Sequence, residues 1–230
     1  MYTDIRVISI GALACHPLRG EQADMRPGHA TTVLLRSDEA CVVVDPSLPP
    51  EHLARQLDER AGLRPDEVTH VFLTDLRPDR RRGLPLFPEA EWLTGEGERE
   101  AYGEAIRGQL HEMPEDPEVR RMLEAESTVI SRCAAAPDQI VEGIDLFPLP
   151  GVTPGLCGLL MPTSRFTVLV CGDAVPTMEH IEEGKVLPHL HNLEQARESF
   201  SEALEIADIL IPGRDNLVPN PIRPWGLEPR

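Results

Sequence analysis

Long apolar runs, flexible linkers and a surplus of positive charge are all missing from this 230-residue chain, and each absence removes a class of function. No segment approaches the ~20 consecutive apolar residues of a membrane-crossing helix. The opening stretch, MYTDIRVISIGAL, carries Asp4 and Arg6 among its apolar residues, so it reads as a first strand and not as a secretory leader. The formal charge is −17, which argues against a nucleic-acid phosphate backbone as partner, because that binding needs cations to release counterions. Arg80-Arg81-Arg82 is the only basic cluster, and it suits a turn or ion pairs better than a nucleic-acid contact. The five cysteines (Cys15, Cys41, Cys133, Cys157 and Cys171) are odd in number and contain no C-x-x-C pair. A reduced, cytoplasmic setting is expected, with Cys41 and Cys171 as small core residues. No G-x-G-x-x-G, P-loop, Ser-His-Asp or Cys-His arrangement is visible.

What is present is an alternation of short β-branched runs and helical patterns. Strands are expected at Arg6–Ile10, Thr31–Arg36, Cys41–Val44 and Val71–Leu73, then at Thr128–Ile130, Leu146–Leu149, Gly158–Met161 and Thr167–Val170. Pro49-Pro50 opens a helix with Leu53 and Leu57 on one face and a stop near Gly62. Glu96–Glu126 is highly charged and reads as helix broken around Pro114 and Pro117. Asn192 is positioned to cap a helix reaching Ala207, whose Leu193, Ala196, Phe200 and Leu204 recur at helical spacing. One domain over residues 1–218 is expected, followed by a Pro-rich tail, 219–230, that Trp225 could anchor.

The most telling stretch is His70 to Gly83, HVFLTDLRPDRRRG. An apolar strand ends at Thr74 and gives way to a polar turn, Asp75-Leu76-Arg77-Pro78-Asp79-Arg80. Three more segments follow in order: LPGVTPGLCGLLM (149–161), FTVLVCGDAV (166–175) and ADILIPGRD (207–215). Upstream, TTVLLRSDEACVVVDP (Thr31–Pro46) reads as a hairpin ending at Asp45. Together these resemble the metallo-β-lactamase superfamily over residues 5–216. The resemblance implies an α/β fold, the four-layer αββα sandwich, and a zinc-dependent hydrolytic site. It also implies seven metal-ligand positions. Here the five histidines of that set read Asp75, Arg77, Arg80, Val152 and Arg214, while the two aspartates remain as Asp79 and Asp173.

Arginine offers donors and no lone pair, so it cannot ligate a metal. The expectation from the sequence is therefore a degenerate site with no metal cofactor. If the loops converge, Asp75, Asp79 and Asp173 face Arg77, Arg80 and Arg214, three carboxylates against three guanidiniums that can pair bidentately and serve as internal scaffolding. The function then expected is a pseudoenzyme binding a small, anionic molecule or a protein partner, with a homo-oligomer left open. The alternative is a hydrolase with an altered, carboxylate-rich site using Mn²⁺, Mg²⁺ or Fe²⁺. Relocated ligands for it are His29, His180, His189 and His191, of which His189-Leu190-His191 is the tightest pair. A polar loop ahead of the Asn192 cap accounts for that pair more simply. His16, His52, His70 and His111 offer no constellation.

Overall fold

The computed structural model describes residues 4–37, 39–112 and 116–223. Its first half runs β1 (Asp4–Ser9), β2 (Thr32–Arg36), β3 (Cys41–Val44), α1 (Pro50–Ala61), β4 (His70–Leu73), β5 (Glu91–Thr94), α2 (Glu96–His111), α3 (Pro117–Arg132) and β6 (Ala134–Ala135). The second half runs β7 (Gln139–Val141), β8 (Ile144–Pro148), β9 (Cys157–Pro162), β10 (Thr167–Gly172), α4 (Met178–Glu183), α5 (Leu193–Ile206), β11 (Ile209–Pro212) and β12 (Val218–Pro219).

Each half contributes one six-stranded sheet. The first is ordered β1-β2-β3-β4-β5-β6 and the second β12-β11-β10-β9-β8-β7. Strands β3 to β6 pair in parallel, as do β10 and β11; the other pairings are antiparallel.

The layering follows from side-chain alternation. In β3, Val42 and Val44 enter the core between the sheets, while Cys41 and Val43 turn to the helical layer that contains Leu53, Leu57, Ile106, Leu123 and Ile130. In β10, Val168 and Val170 face the first sheet, and Leu169 and Cys171 face the layer holding Ile181, Phe200 and Leu204. Strands buried on both faces need apolar residues at every position, which explains the unbroken CVVV of β3. The result is the expected αββα sandwich.

Helix ends follow the cap chemistry. Gly62 takes the left-handed conformation, φ 58°, and its amide closes the end of α1. Asn192 Oδ1 accepts from the Glu194 and Gln195 amides at the start of α5.

Two expectations need correction, and one element is new. Thr128–Ile130 is the last turn of α3 and not a strand: Asp116 caps this helix, Pro117 occupies its first turn, and Leu123 and Ile130 are buried together at helical spacing. Leu193 lies outside the buried face of α5 and is exposed. The strand at Glu91–Thr94 was not anticipated, because four residues carry no visible period. Pro114 and Trp225 lie outside the described residues. Pro219 pairs with Ile209 in the second sheet, and Asn220 donates to the carbonyls of Leu204 and Ala207, so the start of the Pro-rich segment is fixed to the domain.

Candidate functional site

The ends of β3, β4, β10 and β11 converge at one edge of the sandwich and deliver four acids and three arginines to one place. Asp45 follows β3, Asp75 to Arg80 follow β4, Asp173 follows β10 and Arg214 follows β11. Asp45 is the only non-glycine residue with positive φ, 46°, among the described residues. Aspartate tolerates that region better than most side chains. The position is fixed on several sides: its amide donates to the Phe72 carbonyl, and its carboxylate accepts from the amide (2.9 Å) and hydroxyl (2.7 Å) of Thr74.

Arg80 is the hub. Its side chain is fully buried, lies 2.9 Å from Asp45 through Nη1, bonds Asp75 through Nε, and sets Nη2 2.6 Å from Asp173 Oδ1. Arg77 binds Asp75 bidentately, Nε to Oδ1 at 2.9 Å and Nη2 to Oδ2 at 2.6 Å, and also reaches Asp173 at 2.6 Å. Arg214 grips Asp173 with Nε and Nη2, both at 2.9 Å, and Asp79 with Nη1. The turn carrying Arg214 can come this close only because residue 213 is glycine; a Cβ there would fall on Asp173 Oδ1.

Burial and pairing set the charge states. Burial opposes ionisation of Asp75, but Arg80 and Arg77 hold it down to about 2. Asp173, equally buried, is held well below the carboxylate range by Arg214, Arg80 and Arg77. Asp45 goes the other way: burial pushes it up to about 6, against the pull of Arg80 and with Asp75 adding to the rise. The arrangement therefore differs from the three-on-three expectation, because Asp45 makes it four carboxylates for three guanidiniums.

A cleft of about 420 Å³ opens above the cluster. Arg77, Asp79, Asp173 and Arg214 form its floor, and Leu13, Ala14, Pro17, Leu187 and Pro188 supply apolar walls with His189 and Glu21 at the polar side.

Residues 25–213 match the family described as the metallo-beta-lactamase superfamily. The chain belongs to that superfamily. A putative metallo-β-lactamase from Thermotoga maritima superposes with a TM-score of 0.69 at 17% identity, covering 95% of this chain and 100% of that one. A B. thuringiensis AiiA variant with N-decanoyl-L-homoserine bound at its active site gives 0.62 at 19% identity, covering 93% and 92%. AidC, described as a dizinc quorum-quenching lactonase, gives 0.61 at 17% identity, covering 76% and 67%. No curated protein matches the chain by sequence.

These relatives correct the expectation that no cofactor is involved: superfamily membership, with a dizinc lactonase among the structural neighbours, points to metal as the cofactor type. The side chains gathered at the superfamily's ligand positions do not fit a dizinc centre. Asp75 and Asp173 spend their oxygens on guanidiniums, Val152 is packed in the apolar core, and no group of three or more His, Cys, Asp or Glu among the described residues could hold a metal ion.

The relocated-ligand histidines do not assemble either. His189 lines the cleft, whereas His191 is exposed on the loop where its amide donates to Val152. His29 contacts the carbonyls of Pro27 and Ile10. His180 is buried beside His16, ring centroids 5.4 Å apart, with Thr177 Oγ1 2.9 Å from its Nδ1. His16 is thus part of a constellation that spacing alone did not suggest, being 164 positions away in the chain.

Two more residues escaped the sequence reading. Asp45 was visible only as a hairpin terminus. Glu98 was one acid among many in a charged helix, yet it is buried and accepts from the Leu76 amide, the Thr153 hydroxyl (2.6 Å) and the Gly155 amide, tying the loop after β4 to the loop between β8 and β9. Its pKa is raised by burial and by Asp75.

Proposed function

We propose that this chain is a ligand-binding, non-hydrolytic member of the metallo-β-lactamase superfamily, and that the cleft above the ion-pair cluster receives a small molecule with an apolar body and an uncharged polar head. The observation that carries this reading is the buried Arg80 guanidinium, held by Asp45, Asp75 and Asp173 where the superfamily keeps its ligands. Hydrolysis needs a general base or an activated water within reach of the substrate. Asp75 and Asp173 are locked as paired carboxylates, and Asp79 is held by Arg214. Asp45, though raised to about 6, is buried and does not line the cleft, and His189, which does, has no carboxylate among the described residues to orient it as a base.

The charge count favours a neutral head group. Four carboxylates against three guanidiniums leave a surplus of negative charge, which works against the anionic ligand suggested by the arginines alone. Arg214 has all three guanidinium nitrogens hydrogen-bonded within the cluster, and Arg80 is buried there, with Nη2 held against Asp173 as an ion pair. Arg77 Nη1 has no partner among the described residues, and with His189 it remains to bind a carbonyl or hydroxyl oxygen. The apolar walls suit an acyl chain.

An N-acyl homoserine lactone, the ring-closed form of the N-acyl-L-homoserines bound by two structural neighbours, provides the direct test. Protein supplemented with Zn²⁺ is incubated with N-hexanoyl homoserine lactone, and ring opening is followed by proton release. The expected result is no rate above the protein-free control, together with a saturable rise in melting temperature on adding an uncharged acyl amide. Ring opening that disappears in an Asp79→Asn variant would overturn the non-hydrolytic reading.

A further inference from the structure

On the far side of the first half, α2 and α3 enclose a groove of about 270 Å³ that shares no residue with the cleft. Its polar lining comprises Arg99, Arg107, Glu100, Ser127 and Ser131, over a floor of Gly103, Ile106 and Ile130. In a chain with 39 acidic and 22 basic side chains, most buried or half-buried guanidiniums described above have acid partners. Of the two here, Arg99 is half-buried and Arg107 exposed, and neither has an acid partner among the described residues. Arg99 Nε is buried without a hydrogen-bond partner, and the side chains of Arg107 and Ser127 make no hydrogen bond or ion pair among the described residues. Glu100 lines the same groove without pairing to either arginine.

The groove exists because of a glycine that helix energetics would not choose. Glycine inside a helix costs roughly 0.5–1 kcal/mol against alanine, yet Gly103 is buried in the middle of α2. A Cβ there would lie 3.1 Å from Arg107 Nη1 and 3.6 Å from Ile130. The guanidinium of Arg107 therefore lies over the space a side chain would have filled, next to α3.

We propose that this groove binds a phosphoryl group. Guanidinium forks pair bidentately with phosphoryl oxygens, and the Ser127 hydroxyl adds a further donor to the lining of the groove. The phosphoryl charge also supplies the counterion that Arg99 and Arg107 lack. The proposal is independent of the reading of the cleft, since no side chain is common to both.

Titration calorimetry of the full chain in phosphate-free buffer tests it, with inorganic phosphate and phenyl phosphate as separate probes. Saturable binding is expected, weakened about tenfold or more by Arg99→Gln or by Arg107→Gln through the loss of a charge-assisted contact. Gly103→Leu, which improves helix propensity while filling the groove, should abolish binding without lowering the melting temperature. Tighter binding of phenyl phosphate would assign the site to an organic phosphoryl compound, and equal binding to free phosphate; either supports the site. Absence of saturable heat with both probes, or affinity unchanged in all three variants, would overturn it.

Discussion

Two buried polar clusters lie on either side of the Arg214 turn, and they are built on opposite terms. In the ion-pair cluster Asp45, Asp75, Arg80 and Asp173 are all 2% exposed or less, and every carboxylate has a guanidinium against it. In the histidine pair His16 and His180 are just as buried, yet His16 Nδ1 and His180 Nε2 have no hydrogen-bond partner among the described residues; Arg80 Nη2 also lacks one but faces the Asp173 carboxylate as an ion pair. Burying an ion without a partner costs several kcal/mol, whereas a neutral imidazole with one idle nitrogen costs far less. The difference teaches which cluster is brittle: charge, and not polarity as such, makes partners obligatory.

The largest break in that contrast should come from Arg80→Ala, which leaves three buried carboxylates short of a cation. A loss of roughly 3–5 kcal/mol is expected, read as a drop in the denaturation midpoint; wild-type stability would mean the cluster is not a structural unit. Arg214→Ala should cost less, about 3 kcal/mol at most, because Asp173 keeps Arg77 and Arg80. An unchanged midpoint would place Arg214 outside the scaffold.

The histidine side is predicted to respond to pH more than to truncation. Burial, with His16 adding to it, lowers His180 from 6.5 to about 4. Between those values the unfolded chain holds the extra proton. The contribution of His180 to stability therefore rises with pH from about 4 to 6.5 and is lost as pH falls through that window. His180→Phe should flatten this part of the stability profile while changing stability at pH 7 by only about 1 kcal/mol or less, the worth of the Thr177 hydrogen bond. A profile with the same slope in the variant would show that the proton is taken up elsewhere.

Much of this architecture was legible in the residues. The uninterrupted CVVV of β3, the Pro50 start and Gly62 stop of α1, and the Asn192 cap each express a local rule, and four motif segments in order placed the loops. The convergence of Asp75, Asp79 and Asp173 on Arg77, Arg80 and Arg214 could be anticipated because those segments define where strands end. Asp45 and Glu98 could not be, since their roles depend on backbone amides and hydroxyls donated by distant loops. The α3 segment misled because Thr128-Val129-Ile130 is β-branched; the burial of Leu123 and Ile130 on one helix face outweighed that propensity.

The cluster also carries information about time. Asp45, Asp75, Arg77 and Arg80 belong to the first half of the chain, Asp173 and Arg214 to the second, and the two sets meet only when the sheets have docked. Placing that docking after the main barrier to folding is a prediction with a kinetic readout. Arg214→Ala should accelerate unfolding while leaving the refolding rate nearly as it was, since interactions absent from the transition state act on the unfolding limb. In this protein the ion pairs are less a seed of the fold than a latch that closes on it last.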